Sequence, residues 1–155
     1  MRLLVSTDLA LRVLMRLAAV PDAHVSTDVL ARELMVSRNH LHKIVQYLGE
    51  TGLVRTIRGA RGGVMLARPA AEIRVGDVVR HHEADQALVE CFQPDGGACT
   101  LLPRCRLRGM LASATDAFYR HLDGYTLADC LGGPDLAAPA RPGRTARRGG
   151  RRSAA

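Results

Sequence analysis

Apolar side chains recur at helical spacing near the start of the chain, which predicts an opening helix over about Thr7–Val20. Ser6 or Thr7 is suited to cap its N-terminus, and Asp8 would lie in the first turn, where a negative charge is favourable. Pro21 ends the segment. The apolar face of this predicted helix consists of Leu11, Leu14, Met15 and Ala18.

Two more helical segments follow with only a short gap between them. The first is predicted over about Asp28–Leu34, with Ser26 or Thr27 as its cap. The second begins after Ser37, another capping residue, and Gly52 ends it. Its apolar positions fit the i, i+3, i+4, i+7 pattern and are Leu41, Ile44, Val45 and Leu48. Two helices joined in this way indicate a helix-turn-helix.

A β-hairpin is predicted directly after these helices. Two strand-like segments, Leu53–Ile57 and Val64–Ala67, flank a connection that contains three glycines, which supply the positive φ angles that a tight turn needs. A hairpin in this position is a wing. The predicted fold is therefore mainly α, a winged helix-turn-helix domain with a small β-hairpin wing.

The second half of the chain predicts a helix from Val75 to about Glu83 and a long last helix over about Arg104–Leu122. A helix of ~18 residues is ~27 Å long, which is long for a body of this size. We therefore expect part of its apolar face to meet a second subunit, making it a dimerisation helix. The residues of that face are Leu107, Met110, Leu111, Ala114 and Phe118.

These elements divide the chain into four regions. We expect a winged helix-turn-helix domain over 1–83, a cysteine-containing loop over 84–106, and a dimerisation helix with the end of the fold over 104–131. Residues 134–155 contain Ala, Pro, Gly and Arg with almost nothing to bury, and we expect a disordered basic tail.

Charge distribution separates the tail from the body. The whole chain carries a net charge of +7, and the segment from Pro134 onward contributes +5 of it through six arginines and one aspartate. A basic tail suits loose, salt-sensitive attraction to nucleic acid, although a solvated tail without a dedicated role is equally compatible with the pattern. Aromatic residues make up only 3% of the chain, and this scarcity favours duplex DNA over the stacked bases of RNA or single strands.

Several other functions are not indicated. No apolar run approaches the ~18–20 residues of a membrane span, and the start of the chain lacks the pattern of a signal peptide. We therefore expect a cytoplasmic protein in a reducing compartment. The sequence shows no catalytic triad, nucleotide-binding loop or acid pair, so no enzyme activity is expected. The run His81-His82-Glu83 resembles a metal motif, but adjacent helical histidines point apart, and we interpret it as surface.

The candidate DNA contacts lie on the second helix of the helix-turn-helix and on the wing. The start of such a helix enters the major groove. Arg38 and Asn39 suit base recognition, because Arg pairs with guanine and Asn with adenine. The full set of predicted DNA-binding residues is Ser37, Arg38, Asn39, His40, His42, Lys43, Arg58 and Arg61.

Cysteines form a second group of functional candidates. Cys91, Cys99 and Cys105 lie within fifteen residues of a Gly- and Pro-containing loop, and Cys130 follows later. The spacing lacks the paired C-x2-C of most structural zinc sites and differs from the ferredoxin pattern. Spacing alone leaves an iron–sulfur cluster, a zinc ion, and reactive or inert thiols open. On ligand chemistry, Cys130 is the obvious fourth ligand, since soft thiolates suit iron–sulfur clusters.

The combined motifs resemble a known family. The matching segments are Met1-Arg2-Leu3 and residues 7–12 at the start of the chain, residues 37–41 at the start of the predicted recognition helix, the wing sequence Arg58-Gly59-x-x-Gly62-Gly63, and the three-cysteine loop. In this order and spacing they resemble the winged-helix iron–sulfur repressors, and most closely the nitric-oxide-sensing NsrR family. The resemblance covers about residues 1–131.

The resemblance implies a homodimer with an iron–sulfur cluster near its interface, a palindromic operator in double-stranded DNA, and nitric oxide as the effector. It implies a [4Fe–4S] cluster on Cys91, Cys99 and Cys105, with Asp8 from the other subunit as fourth ligand; a [2Fe–2S] cluster is the alternative. Arg108 stands where IscR-like regulators have a histidine ligand, which argues against that branch. An iron-status repressor, a small electron-transfer protein and a zinc-stapled interaction domain are the competing functions.

Overall fold

The computed structural model describes residues 2–59 and 62–132, and these form five α-helices and one two-stranded hairpin. In chain order the elements are α1 (Val5–Ala18), α2 (Thr27–Glu33), α3 (Arg38–Glu50), β1 (Val54–Ile57), β2 (Gly63–Leu66), α4 (Val75–Glu83) and α5 (Arg106–Asp123). The mainly α, winged helix-turn-helix fold is thus confirmed. The predictions for Arg61 and for the tail, 134–155, concern positions outside the described residues.

Helix α1 lies at the centre of the hydrophobic core. It contacts α3, β2, α4 and the short 3-10 turn Ala128–Leu131. Of its predicted apolar face, Leu14 and Ala18 are buried, whereas Leu11 and Met15 are only partly buried. The most buried face lies slightly further round the helix because partners surround α1 on several sides. Its buried hydrophobic residues are Leu9, Ala10, Val13, Leu14, Leu17 and Ala18.

The predicted cap of α1 is wrong. The helix begins at Val5, and neither Ser6 nor Thr7 is its N-cap; Leu4 occupies that position without a side-chain cap. Thr7 lies inside the first turn and is fully buried. The Glu83 carboxylate, at the end of α4, accepts a hydrogen bond from the Leu4 N–H (2.8 Å) and a very short one from the Thr7 hydroxyl. A distant residue therefore satisfies a donor that local sequence cannot.

The caps of the helix-turn-helix are confirmed. Ser26 accepts a hydrogen bond from the Val29 N–H, and Ser37 accepts one from the His40 N–H, each at 3.3 Å. All four predicted apolar positions of α3 are buried: Leu41, Ile44, Val45 and Leu48. The turn between α2 and α3 contains Met35, which has a φ of 54° and a side chain that is 90% exposed.

The wing pairs in antiparallel register from Val54 opposite Leu66 to Ile57 opposite Gly63. It is joined to the rest of the fold by two backbone hydrogen bonds between Val25 and Val64, of 2.9 and 2.8 Å. A Cβ atom on Gly63 would lie 2.7 Å from the Val25 carbonyl oxygen, closer than real contacts allow. Glycine at this position therefore permits the backbone of the wing to approach the core.

Helix α5 packs against α4 and leaves much of its surface open. Its C-terminal end is held by an ion pair between Arg80 and Asp123 (2.5 Å). No residue along α5 is fully buried in the described chain, and Leu107 and Met110 of the predicted dimerisation face are 59% and 61% exposed. Within residues 2–59 and 62–132, no helix is both long and apolar enough to cross a membrane.

Candidate DNA interface and cysteine loop

The start of α3 presents a polar surface to solvent. Ser37, Arg38 and Asn39 are exposed, as are His42 and Lys43 in the following turn, while His40 is half-buried. The buried face of α3 lies on the opposite side, so the helix is fixed to the core while its first turns remain accessible. This placement is what entry into a DNA major groove requires.

Arg38 is held by a neighbour that the sequence did not single out. Its Nε lies 3.0 Å from an Asp28 carboxylate oxygen on α2, and both side chains remain more than half exposed. The contact is made through Nε, so it restricts the orientation of the guanidinium without using its terminal nitrogens. Asp28 therefore helps to orient the Arg38 guanidinium at the exposed start of α3.

The wing adds further positive charge beside α3. Arg58 follows β1 and is exposed, as predicted, and Arg55 on β1 and Arg68 after β2 are exposed as well. Sequence reasoning passed over the last two, although three of the four residues of β1 are exposed, as expected of a strand at a protein surface. All three arginines are available for phosphate contacts.

The far end of α3 is linked to α4. The Tyr47 hydroxyl donates a 2.7 Å hydrogen bond to the His81 carbonyl, and the Tyr47 ring lies 4.5 Å from the His82 ring, centroid to centroid. The interpretation of His82 as a surface residue is wrong, since the ring is half-buried by this packing. Burial lowers the pKa of His82, opposed by the charge of the adjacent Glu83.

The cysteine loop connects α4 to α5. Cys91 is buried in a short 3-10 turn, Glu90–Phe92, whereas Cys99 and Cys105 are half-buried. Cys105 occupies the N-cap position of α5, without a side-chain cap hydrogen bond. Arg108, noted in the sequence only as a non-ligand, donates a 3.2 Å hydrogen bond to the Cys91 carbonyl and so connects the two ends of the loop.

The described residues of a single chain do not bring together a complete metal site. Among the described residues, which include all four cysteines, no group of three or more His, Cys, Asp or Glu side chains is close enough to hold a metal ion. All four cysteines are free thiols. The donor chemistry nevertheless fits an iron–sulfur cluster, because three free thiols occur on one loop.

The two candidate fourth ligands differ in environment. Asp8 is exposed on α1 and forms a 2.8 Å ion pair with Arg12, one helical turn away, so it is accessible to another molecule. Cys130 is half-buried; burial raises the pKa of its thiol, and its Sγ lies 3.7 Å from the Thr126 carbonyl oxygen. Of the two candidate ligands, Asp8 is therefore the more accessible to a second molecule.

Comparison with known proteins places this architecture in a family. The profile of the Rrf2 family, described as iron-dependent transcriptional regulators, matches residues 4–133. The chain belongs to the Rrf2 family. It is 49% identical to the HTH-type transcriptional regulator NsrR of Geobacillus kaustophilus over 127 residues, covering 81% of this chain and 86% of that protein. It is 43% identical to NsrR of Halalkalibacterium halodurans over 136 residues, covering 87% and 93% respectively.

A solved structure supports the same fold for this Rrf2 protein. The oxidized form of Staphylococcus aureus CymR superposes with a TM-score of 0.68 at 27% sequence identity, covering 87% of this chain and 99% of CymR. As a member of a family of transcriptional regulators, the Rrf2 protein is a DNA-binding regulator and not an enzyme. Family membership also sets aside the electron-transfer and zinc-stapled alternatives.

Proposed function

We propose that this Rrf2 regulator is a cytoplasmic repressor that binds a palindromic operator as a homodimer and releases it when nitric oxide reacts with an iron–sulfur cluster. One observation carries the proposal. A single loop with three free thiols joins the winged helix-turn-helix body to α5, whose apolar face is exposed. A change in that loop can therefore alter how two DNA-binding domains are held relative to each other.

In this proposal α3 enters the major groove. Arg38 and Asn39 contact bases, and Ser37, His40, His42 and Lys43 contact bases or phosphates. Arg58 and Arg61 on the wing reach the backbone or minor groove. The exposure of Ser37, Arg38 and Asn39 at the start of α3 supports these roles. Two such helices must lie about one DNA turn, ~34 Å, apart to bind both half-sites.

Cys91, Cys99 and Cys105 would hold the cluster, with Asp8 of the partner subunit as fourth ligand and [4Fe–4S] as the cluster type. When bound, such a cluster supplies iron that reacts with nitric oxide. The protein contributes the thiolates, the hydrogen bond from Arg108 that fixes Cys91, and the position of Cys105 at the start of α5. Asp8 is exposed, and the described residues of its own chain form no metal-binding group around it; both observations are compatible with a role across a dimer interface.

Anaerobic purification, an absorption spectrum and iron analysis test the cluster. Cys91→Ala, Cys99→Ala and Cys105→Ala should each abolish it, because a lost thiolate opens a coordination position. Cys130→Ala is the matched control and should retain it. Asp8→Ala should yield a cluster that is lost or altered. Retention of a normal cluster in any of the three loop variants would contradict the ligand assignment.

DNA release is tested with a duplex that the wild-type protein selects from a random-sequence pool. Affinity should fall as a nitric oxide donor is added to the cluster-loaded protein, and the apo-protein should bind weakly from the start. Equal affinity of apo- and loaded protein, or loss of the cluster without loss of DNA, would contradict nitric oxide sensing.

An iron-status repressor is the second candidate, favoured by the description of the matched family as iron-dependent. Titration with an iron chelator separates the two. An iron-status regulator should release DNA under mild chelation without nitric oxide, whereas a nitric oxide sensor should keep both cluster and DNA under the same conditions.

A further inference from the structure

Three consecutive residues at the end of α4 contact two other elements of the DNA-binding domain. The His81 carbonyl accepts the hydrogen bond from the Tyr47 hydroxyl of α3, and the His82 ring packs on the Tyr47 ring. The Glu83 carboxylate accepts hydrogen bonds from the start of α1. The last turn of α4 is thus held by α3 through Tyr47 and by α1 through Glu83.

Tyr47 connects two elements whose main packing partners differ. Helix α3 packs mainly on α1, α2 and β1, and α4 packs mainly on α1 and α5. The Tyr47 side chain of α3 reaches the end of α4 through its hydroxyl and its ring. His82 Nε2 is buried with no hydrogen-bond partner in the described chain, which is unfavourable, so packing against Tyr47 has to hold the ring in place.

This turn is also where the cysteine segment begins. Glu83 is the last residue of α4, and 84–90 lead directly to Cys91. The cysteine loop is joined to the end of α4 on one side and to the start of α5 on the other, so a change in the loop can act on the end of α4. From there it reaches α3 through Tyr47 and α1 through Glu83.

We propose that Tyr47 and Glu83 are positioning residues that couple the state of the cysteine loop to the recognition helix. This inference rests on the proposed function, since it assumes that the loop changes when its cluster is lost. Neither residue contacts DNA or a ligand in this role. With both contacts present, α3 and α1 keep fixed positions relative to the end of α4. A protein that lacks these contacts still binds DNA, but its affinity changes less when the state of the cysteine loop changes.

Tyr47→Phe removes only the hydroxyl and tests the coupling directly. We expect normal cluster content and unchanged apo-protein affinity for the selected duplex. The ratio of loaded to apo affinity should fall by roughly three- to tenfold, the effect of one neutral hydrogen bond. Tyr125→Phe, on a half-exposed ring at the far end of α5, is the matched control and should keep the full ratio. An unchanged ratio in Tyr47→Phe would overturn the proposal.

Amide hydrogen exchange separates this proposal from the function on which it rests. Loading the wild-type protein anaerobically with iron and sulfide should change the protection of the last turns of α3, and Tyr47→Phe should reduce that change. If wild-type apo- and loaded protein bound DNA equally but α3 still responded, the sensing function would fail and the coupling would stand. If α3 in the wild type did not respond, the coupling would be wrong.

Thr7→Val gives a second variant of nearly the same volume that does not alter α3. It removes the hydroxyl that bonds to Glu83, so it should weaken the link between α1 and the end of α4. We expect a smaller loaded-to-apo ratio with retained cluster. If the ratio remained at the wild-type value in a folded protein, Glu83 would have no positioning role.

Discussion

The guanidinium of Arg38 is already paired before DNA arrives. Asp28 holds its Nε at 3.0 Å while both side chains stay exposed, so the pair itself contributes little to folding stability. If Arg38 contacts a base, as proposed, the pair would favour recognition, because an oriented arginine loses less freedom on binding. In that role, specificity at the start of α3 would depend on Asp28 of α2 as well as on α3.

Arg38→Ala should weaken binding to the selected duplex by about 1–3 kcal/mol, the usual value of a base contact, and relax the preference at one position. Asp28→Asn should have a smaller effect in the same direction, about 0.2–1 kcal/mol. Fluorescence anisotropy with selected and scrambled duplexes measures both. Arg120→Ala, on an exposed part of α5, removes the same charge and should change neither. Loss of affinity for both duplexes alike would show that Arg38 contacts phosphate instead.

Replacing glycine with alanine should have opposite effects on the stability of the fold at Gly63 and at Gly49. Gly63→Ala places a methyl group 2.7 Å from the Val25 carbonyl oxygen and should destabilise the fold by roughly 1–3 kcal/mol, since backbone must move. Gly49→Ala lies on an exposed turn of α3 with nothing within 4 Å, and should stabilise by up to about 1 kcal/mol through helix propensity. Urea unfolding measures both. Equal effects of the two substitutions would contradict the close approach of the wing to Val25.

At the level of elements, the packing of α4 against α5 depends on a polar junction. Arg80 donates to Asp123, Arg74 donates a 2.8 Å hydrogen bond to the Asp123 carbonyl, and the Val75 N–H donates to the Tyr125 carbonyl. A Cβ atom on Gly76 would overlap the Asp123 carboxylate. The C-terminal end of α5 is thus fixed to α4, while its N-terminal half stays open.

The hydrogen bond from Arg80 holds the pKa of Asp123 below its ordinary value of 3.8, assisted by the charges of Arg80 and Arg74 and opposed by desolvation. A depressed carboxyl pKa stabilises the folded state above the unfolded pKa, and this stabilisation is lost as the pH falls through the folded pKa. Asp123→Asn should therefore lower stability at neutral pH, and the difference from wild type should shrink below about 3.8.

Chemical unfolding of wild type and Asp123→Asn across the acid range checks this expectation. Asp116→Asn, an exposed carboxylate on the same helix, is the control and should show little difference from wild type at any pH. A difference between wild type and Asp123→Asn that stayed constant down to the lowest pH would mean that the ionised carboxylate is not what stabilises the junction.

At the scale of the whole molecule, helix α5 exposes apolar side chains that packing within a single chain does not cover. Helix α5 has 18 residues, none fully buried, and its N-terminal half exposes Leu107 and Met110. A second copy of the chain on this face would bury these side chains, and burial of a large apolar side chain contributes about 1.5–3 kcal/mol.

Met110→Asp should shift the protein from dimer to monomer, because a charge on the apolar face is costly to desolvate. Operator affinity should fall with it, since one subunit engages only one half-site. Asp116→Lys places a new charge on the opposite side of α5 and should leave the dimer intact. Sedimentation velocity decides the outcome. A Met110→Asp protein that remained dimeric would place the dimer interface elsewhere.

The sequence predicted every α-helix and both strands of the DNA-binding domain because each has a local signal, whereas the short 3-10 turn Ala70–Glu72 was missed. Ser26 and Ser37 cap their helices, the apolar face of α3 is regular, and glycines mark the wing. The start of α1 was misplaced for the opposite reason. The hydrogen-bond acceptor at its start is Glu83, far along the chain, and no local pattern reveals a hydrogen bond between residues so distant.

The candidate functional residues likewise divide into those that the sequence indicated and those that only the folded structure revealed. Residues chosen by chemical type, such as Arg38, Asn39 and the loop cysteines, could be found from motif and spacing. Asp28, Tyr47 and Glu83 could not, because their importance comes from neighbours that only folding provides. Arg108 is intermediate, since its position three residues after Cys105 was visible but its bond to the Cys91 carbonyl was not.

By itself the sequence determined the order of elements, the polar start of α3, the apolar face of α5 that one domain would not cover and the three thiols of one loop, because capping, periodicity and ligand chemistry are local properties. Only the tertiary structure decided that the end of α4 contacts both α3 and α1. Such contacts depend on how elements pack in three dimensions, where residues far apart in the chain become neighbours and compete for the same buried space.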